Sequence, residues 1–503
     1  MRKQMHTFLP KMIYLIGFII LLLVLSVNVL YTCTVTLEEK LIIKPNNIFL
    51  SILATIFVFL VILLIYKLCD FFKNTNFLFF TLSIDVLILL AWVAFSKTSP
   101  FADQLSVYNS AINISQNNYI DFFKGGYIYQ YNHQATLAYM FSLFLRLFSS
   151  NYKVLQVLIS LCTLGTHLGI FKITKELYNE KAAKTSLIIS MLFLPTTILT
   201  IYVYGDIIGL CLSIWAIYFT IIFLRQNKVN YLIYTSLLIG IAILFRNNTL
   251  VFWLAMVIYL FTQLNIKKFI IALCIMLTSL CYNYSIKQYL SYKAGSDLTK
   301  GIPSILFVNM GLEEGPRGNG WYNGSTVVNY ESANDDSKQA KTLGLKLVNK
   351  RISYMLNNPM YSLNFFAGKF ITTWSEPTYE SLFFTFPHDQ STEVINYMKN
   401  NLFLNSLYYG TLNKLIIWYC KGFVLFIAFG ATVCCFKKSK DLTPEILLIL
   451  LPFIGTVAFH LMWETKSRYV YPAFVLLFPL ASIYFTSISD KLSSRLIDKS
   501  LHN

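Results

Sequence analysis

The amino-acid sequence predicts an all-α membrane protein that crosses the bilayer about twelve times. Its 503 residues are 56% hydrophobic and only 13% charged, whereas a soluble protein carries roughly 25% charged residues. The mean hydropathy is +0.57. Much of the chain divides into apolar runs of about 20 residues, the length of a helix that crosses the hydrocarbon core. Basic residues collect in alternate connections between these runs, as in a polytopic membrane protein.

Twelve apolar runs qualify as membrane spans by length and composition. The first follows a basic N-terminal segment and is longer than the apolar core of a signal peptide, so we expect an uncleaved span. The seventh and eighth runs are short and share a tight turn at Arg246-Asn247-Asn248. The runs lie at residues 12–32, 47–68, 76–96, 153–172, 185–204, 207–224, 231–246, 249–265, 268–285, 415–436, 443–463 and 469–488.

The distribution of Lys and Arg orients these spans. With the N-terminus in the cytoplasm, the cytoplasmic segments hold 19 basic residues; they are 1–11, 67–75, 172–184, 225–230, 266–268, 437–442 and 489–503. The opposite loop 286–413 holds 11 basic and 10 acidic residues. This pattern is positive-inside and predicts that both termini are cytoplasmic. The net charge of +17 is then a signal of topology, and no nucleic-acid partner is expected.

Residues 134–149 form a thirteenth, doubtful segment. If it crossed the membrane, every later loop would change sides and the lysine-rich connections would face outward. We therefore expect an interfacial helix on the outer side. The predicted parts are N-terminal spans (1–96), a first outer loop with the interfacial helix (97–152), central spans (153–285), a large extracytoplasmic loop (286–413), and C-terminal spans with a cytoplasmic tail (414–503).

The cytoplasmic loops are too short to hold a domain, so chemistry is expected on the outer face. Four features there collect polar residues, namely Asp103-Gln104, Asp206, Arg246, and a short turn with Glu464, Lys466 and Arg468. Each alone has an ordinary interpretation as a solvated flank, a turn former or a snorkelling cation. Together, at one depth on one side, they favour a site in which acids act on an acceptor hydroxyl and cations hold a phosphate.

Other polar residues are weaker candidates. Asp121 shares the first outer loop with Asp103 and is its rival as a catalytic base. Asp85 lies inside a span and is expected to be hydrogen-bonded between helices, and His167 and His460 are interpreted as core residues. The nine cysteines show no metal-ligand spacing. No DxD motif occurs in the outer loops, which favours a metal-independent site and leaves metal use open. No cofactor is expected.

These residues resemble the GT-C superfamily of polyprenyl-phosphate-sugar glycosyltransferases, which includes protein O-mannosyltransferases and lipid A aminoarabinose transferases, and more closely its bacterial envelope members. The resemblance runs from about Asp103 to Tyr469. It rests on FADQLSVYNSA, on GGYIYQYNHQATLAYMF, on YVYGDIIGL, and on the GIP…NMGL and RY segments. In the family the second stretch often opens with Tyr-Pro, and here Asn132 stands in place of the proline.

The resemblance implies that Asp103 is the general base and that Asp206 orients the acceptor or the donor. The convergence of polar groups on the outer face, together with the resemblance, favours Arg246 and Arg468 as the residues that hold the lipid phosphate. The rest of the expected substrate site is Gln104, Tyr131, His133, Glu464 and Lys466. The implied enzyme transfers a hexosyl group from a polyprenyl-phosphate carrier to an envelope glycan, lipid or protein at the cell membrane. Two alternatives stay open: a polymerase or ligase of undecaprenyl-linked glycans, and a transporter or flippase of lipid-linked substrates.

Overall fold

The computed structural model describes residues 2–69, 74–96, 98–388, 391–436 and 444–501. These residues form α-helices and one two-stranded antiparallel sheet, which confirms the predicted all-α polytopic class. The predicted cytoplasmic segment 437–442 lies outside the described residues, and 67–75 lies partly outside them.

The N-terminal and first outer regions contain the sheet and six helices. Their bounds are α1 (Arg2–Leu30), β1 (Tyr31–Val35), β2 (Leu41–Pro45), α2 (Ile48–Cys69), α3 (Asn74–Phe95), α4 (Ala102–Ser115), α5 (Tyr127–Gln130) and α6 (Ala135–Leu147). The central helices are α7 (Tyr152–Leu177), α8 (Glu180–Leu192), α9 (Leu194–Ile198), α10 (Gly205–Gln226), α11 (Val229–Phe245), α12 (Leu250–Gln263) and α13 (Ile266–Ala294).

The large loop is itself helical. It contains α14 (Ser304–Gly311), α15 (Ser325–Ser332), α16 (Ser337–Asn357), α17 (Pro359–Trp374), α18 (Ser381–Thr385), α19 (Thr392–Asn400) and α20 (Leu402–Tyr408). The C-terminal helices are α21 (Thr411–Phe436), α22 (Leu447–Met462), α23 (Ser467–Val475) and α24 (Phe478–Leu501).

Every apolar run that was expected to span the membrane contains helix, but the exact number of twelve spans is not confirmed. Among the described residues, eight helices are long and apolar enough to cross, and two bent pairs bring the number to ten. The bends are 56° between α8 and α9 and 50° between α23 and α24. Pro195 and Pro479 lie at the start of the second helix of each pair, where proline's missing N–H ends the preceding helix.

The remaining two runs form the short pair α11 and α12, of 17 and 14 residues. At 1.5 Å per residue these helices are about 26 Å and 21 Å long, less than the ~30 Å hydrocarbon core. These lengths agree with the prediction that the turn between them, which carries Arg246, lies at the depth of the membrane.

Contacts between connections show which segments share an end of the helix bundle. At one end, Arg225 contacts Glu176 and Glu445, and Lys181 contacts Asp490. These residues come from predicted cytoplasmic connections or lie beside them. At the other end, the loop 97–152 contacts the large loop, as in the hydrogen bond from Asn132 Nδ2 to the Leu298 carbonyl at 2.6 Å. The assignment of this second end to the extracytoplasmic side stays a prediction from the charge distribution.

The helices α1 and α2 pack against α21, and α1 also packs against α22. The hairpin of β1 and β2 connects α1 to α2, with Tyr31 opposite Pro45 and Val35 opposite Leu41. This hairpin is not among the elements predicted from sequence. Its tip reaches a cavity at one end of the helix bundle.

Candidate active site

A cavity of about 900 Å³ lies at the end of the bundle where the two outer regions meet. Its walls come from segments far apart in sequence, including the hairpin tip, the start of α4, the α11–α12 turn and the turn between α22 and α23. The cavity brings together most of the residues predicted from sequence. Those that line it are Asp103, Gln104, Tyr131, His133, Arg246, Glu464, Lys466 and Arg468.

Asp103 is the least constrained carboxylate of the cavity. It is exposed, lies in the first turn of α4, and forms no ion pair or hydrogen bond within the part of the chain that the structure describes. The residue before it, Ala102, has a φ of +47°, a backbone region that L-residues with a Cβ rarely adopt. Such strain is typical of functional sites. An unpaired carboxylate of this kind can accept a proton from a bound hydroxyl.

Gln104 follows Asp103 and is buried against the cavity wall. Its Oε1 accepts a hydrogen bond of 2.6 Å from the hydroxyl of Tyr152. Its buried Nε2 has no hydrogen-bond partner in the described structure. Since buried polar atoms are rarely left unsatisfied, this amide is available to a substrate oxygen.

Asp206 lies behind the cavity wall, at the N-terminus of α10, and binds two arginines. Arg468 Nη1 donates a hydrogen bond of 2.5 Å to its Oδ2. Arg246 Nε lies 2.9 Å from its Oδ1, as an ion pair. All three side chains are at most 14% exposed. Asp206 therefore contacts the cavity through the two guanidinium groups that it holds.

Gly205 makes this arrangement possible. A Cβ atom at this position would lie 1.9 Å from the carbonyl oxygen of Phe245. Only glycine allows the first turn of α10 to approach the end of α11 so closely. The close approach places Asp206 beside Arg246.

Aromatic rings surround the two arginines. The guanidinium carbon of Arg468 lies 4.3 Å from the ring centre of Phe384 and 4.6 Å from that of Tyr202. That of Arg246 lies 5.0 Å from the ring of Tyr469 and 5.2 Å from that of Tyr204. Cation–π contacts stabilise guanidinium groups that have lost most of their water. The Nε atom of Arg468 is buried without a hydrogen-bond partner in the described residues, so Arg468 retains donor capacity for an anion, whereas the Nε atom of Arg246 faces Asp206 Oδ1.

The turn between α22 and α23 carries Glu464 and Lys466 into the same cavity. Burial raises the pKa of the Glu464 carboxyl, and the nearby Lys466 opposes that shift. The hydroxyl of Tyr469 donates to Glu464 Oε1 at 3.4 Å. Glu464 is thus a second acid on the cavity wall, more buried than Asp103.

Lys369 binds the backbone at this turn, and it is not among the residues predicted from sequence. Its Nζ donates to the carbonyl oxygens of Gly311, Leu461 and Trp463 at 2.5, 3.0 and 2.8 Å. Two of these carbonyls belong to the C-terminal end of α22, where a cation is favoured. Burial lowers the pKa of Lys369 to about 7, whereas three carbonyl acceptors all favour the ammonium form.

We expect Lys369→Met to unfold more easily than the wild type. The substitution leaves buried carbonyls without donors, and each such group costs roughly 1–3 kcal/mol. The thermal midpoint in detergent measures the loss, with Lys346→Met on the exposed face of α16 as the control. Equal midpoints for the two variants would show that Lys369 does not support the turn.

Glu376 and Glu380 also bind the α22–α23 turn and were not predicted. Glu380 Oε1 accepts hydrogen bonds from the Ser467 hydroxyl at 2.9 Å and from the Arg468 backbone N–H at 3.1 Å. Glu376 Oε2 accepts from the Ser467 hydroxyl at 3.2 Å. Both acids follow α17, in the aromatic stretch 360–385, whose apolar composition gave no sign of this role. They fix the backbone from which Arg468 extends.

Tyr131 and His133 lie on the wall formed by the first outer loop. Burial lowers the pKa of His133 to about 3, so its imidazole is neutral at physiological pH. Neighbouring Asn132 binds the large loop through the Leu298 carbonyl, and the Ile302 N–H donates to the Gln130 carbonyl at 2.9 Å. The GIP segment is therefore fastened to the stretch that carries Tyr131 and His133.

Two other acids considered from sequence lie elsewhere. Asp121 does not line the cavity, and its Oδ2 accepts hydrogen bonds from Ser110 and Asn113 at 2.9 and 3.0 Å. Asp85 Oδ2 lies 2.6 Å from His167 Nδ1, and both side chains are buried between α3 and α7. Asp85 is thus paired between helices, as expected, and its partner is His167.

Residues 132–283 match the family model of dolichyl-phosphate-mannose-protein mannosyltransferases. This match confirms the resemblance to the GT-C superfamily of glycosyltransferases. It covers the helices from α6 to most of α13, including Asp206 and Arg246. No curated protein sequence matches the chain.

Among solved structures, the chain is similar to the oligosaccharyltransferase of Archaeoglobus fulgidus. Its apo form is 13% identical, with a TM-score of 0.42, over 86% of this chain and 53% of that chain. The archaeal oligosaccharyltransferase AglB from Archaeoglobus fulgidus, in complex with an inhibitory peptide and a dolichol-phosphate, is 13% identical, with a TM-score of 0.41, over 85% of this chain and 52% of that chain. This chain therefore spans about half the length of these structures.

Proposed function

We propose that this protein transfers one sugar from a polyprenyl-phosphate carrier to a cell-envelope acceptor on the extracytoplasmic face of the membrane. The observation that carries the proposal is the cavity, in which one unpaired carboxylate faces the same space as several cations. Three acids and five basic side chains line it in the described residues; they are Glu39, Asp103, Glu464, Arg246, Lys287, Arg317, Lys466 and Arg468. This excess of positive charge suits an anionic lipid-linked substrate.

In the proposed reaction, the acceptor oxygen forms a bond to the anomeric carbon of the sugar. The bond from that carbon to the phosphate oxygen breaks, and its electron pair stays on the phosphate. Asp103 takes the acceptor proton, as a general base. The products are the glycosylated acceptor, the protonated Asp103, and a polyprenyl phosphate that carries one more ionisable oxygen than the donor did.

The arginines stabilise the charge that develops on the leaving phosphate. Guanidinium groups bind phosphate oxygens through paired N–H donors, and those of Arg246 and Arg468 are already fixed by Asp206. Preorganised donors of this kind need no rearrangement when the charge develops. We therefore propose Asp206 as a positioning residue that acts on the substrate through the two arginines.

Within the cavity, Glu464 is the alternative base. Its raised pKa would favour proton transfer near neutral pH, but Asp103 is the exposed and unpaired acid. Asp121, the rival expected from sequence, lies outside the cavity lining and already accepts two hydrogen bonds. The cavity thus favours Asp103 and makes Glu464 the competitor to test.

Reconstitution tests the function directly. The purified protein in liposomes is given a polyprenyl-phosphate sugar that is labelled in the sugar, together with an envelope extract as the source of acceptors. Transfer of label to the extract, with release of polyprenyl phosphate, would support the proposal. Counterflow of the intact lipid without bond cleavage would support a flippase, and formation of long glycan chains would support a polymerase; either outcome overturns it.

We also propose that transfer uses no metal ion or other cofactor. Among the described residues, no three His, Cys, Asp or Glu side chains are grouped as metal ligands. The basic side chains of the cavity can supply the positive charge that a divalent ion supplies elsewhere. Transfer in the reconstituted system should keep its rate in excess EDTA, whereas a loss that Mg²⁺ or Mn²⁺ restores would contradict this prediction.

A further inference from the structure

The tip of the N-terminal hairpin places an acid in the cavity that neither the family match nor the sequence analysis assigns. Glu39 lies in the turn between β1 and β2 and lines the cavity. It precedes the family-matched stretch, residues 132–283, by more than 90 residues. Helices α1 and α2 thus do more than pack against the bundle, because the segment that connects them completes one wall of the site.

The side chain of Glu39 bridges two of the cavity's basic residues. Its Oε1 lies 2.5 Å from Lys466 Nζ and its Oε2 lies 2.9 Å from Arg317 Nη2. Glu39 is 12% exposed, Lys466 11% and Arg317 31%. Glu39 therefore holds Lys466 and Arg317 through ion pairs, as Asp206 holds Arg246 and Arg468. Unlike Asp206, Glu39 lines the cavity itself.

The backbone of the turn is specialised for this placement. Glu39 has a φ of +57°, a left-handed conformation that favours Gly or Asn and is strained for a residue with a Cβ. The preceding acid, Glu38, points to solvent, where it is 74% exposed and contacts Lys40. Of two adjacent glutamates, the turn buries one in the cavity and leaves the other outside.

The hairpin is held firmly against the rest of the site. Lys421 Nζ donates to the Tyr31 carbonyl at 2.6 Å and to Asn28 Oδ1 at 3.0 Å. The Cys33 N–H donates to the Ser375 carbonyl at 3.1 Å, next to the segment that carries Glu376 and Glu380. The position of Glu39 is thus fixed by contacts outside the cavity.

We propose that Glu39 competes with the lipid phosphate for Lys466 and Arg317, and that this competition promotes release of the polyprenyl-phosphate product. The inference rests on the proposed function. The donor is a phosphodiester with one negative charge. The product is a phosphomonoester whose second pKa is about 6, so it carries between one and two charges at neutral pH.

Without a competitor, the site would bind the product more tightly than the donor, because the same cations would face a larger charge. The carboxylate of Glu39 forms its ion pairs with Lys466 and Arg317 again when the phosphate moves away. If Glu39 only held the two cations in place, its removal would weaken phosphate binding, since disordered cations bind an anion less well. If Glu39 competes with the phosphate, its removal strengthens that binding. The direction of the change in affinity therefore distinguishes the two roles.

The test is binding of a short-chain polyprenyl phosphate to the full-length protein in detergent, measured by a shift in intrinsic Trp fluorescence or by calorimetry. Glu39→Gln should bind this phosphomonoester on the order of tenfold more tightly, because one negative charge near the phosphate is gone. Glu38→Gln is the matched control and should bind as the wild type does. Kinetically, Glu39→Gln should show stronger inhibition by added polyprenyl phosphate.

Glu39→Gly is the second variant. It removes the same charge, and glycine suits the backbone at φ +57°, which offsets part of the stability lost with the two ion pairs. It should also bind the phosphomonoester more tightly than the wild type does. Weaker or unchanged binding in these variants, with normal binding by the wild type, would overturn the role of Glu39 and leave the proposed function standing. Absence of binding by the wild type would overturn both.

Discussion

Replacing Asp103 with Asn should reduce the rate of sugar transfer by about 10²–10⁴-fold, the usual contribution of a general base. The Asn side chain keeps the shape of the carboxylate but cannot accept the acceptor's proton. Asp103 is exposed and has no partner in the described residues, so the substitution should leave folding almost unchanged. Labelled transfer in liposomes measures the rate, and the thermal midpoint in detergent verifies the fold.

Asp121→Asn is the matched control, since Asp121 lies in the same outer loop but does not line the cavity. It should lower the thermal midpoint, because Ser110 and Asn113 lose a charged acceptor, and should leave transfer largely intact. Glu464→Gln tests Glu464, the alternative general base. Near-normal transfer by Asp103→Asn together with loss in Glu464→Gln would move the base to Glu464.

The parts of the site that the sequence predicts are those where a charge interrupts an apolar pattern. Arg246, Asp206 and the Glu464–Arg468 turn all stand at the ends of apolar runs, where a charged group is costly unless it has a partner. Charge asymmetry then groups the connections by side. Contacts in the structure bring the same connections together at each end of the bundle. The predicted residues therefore meet in one cavity.

The sequence could not show which partner each charge would take. The sequence predicts that Asp206 contacts a substrate, whereas in the structure it binds two arginines. Gly205 allows α10 to approach α11 closely, and sequence spacing does not predict this contact. Lys369 lies in an apolar, aromatic stretch, and its three carbonyl partners belong to segments up to 94 residues away. Such pairings depend on tertiary contacts alone.

Glu39 is different, because a signal for it was present. The stretch YTCTVTLEEKLIIKP places β-branched residues on both sides of a polar EEK turn, a composition typical of a hairpin. The distinction between Glu38 and Glu39, however, depends on the backbone of the turn, and only the structure shows it.

Replacing Asp206 with Ala should lower the free energy of unfolding by about 3–5 kcal/mol, the cost of removing one partner from a buried ion pair. The guanidinium groups of Arg246 and Arg468 would then lie buried without their common carboxylate. Glu331→Ala, at an exposed acid of the large loop, is the control and should shift the thermal midpoint little. An equal shift for both variants would show that the arginines do not depend on Asp206.

An added anion separates the positioning role of Asp206 from a general loss of stability. If both arginines face the phosphate site, inorganic phosphate should enter beside them and raise the midpoint of Asp206→Ala more than that of the wild type. Binding to the native state alone stabilises a protein in this way. Transfer should stay low in the rescued variant, because phosphate then occupies the donor's place. A midpoint that phosphate does not raise would mean that these arginines do not form the phosphate site, and the cations held by Glu39 would then be the ones that bind the donor.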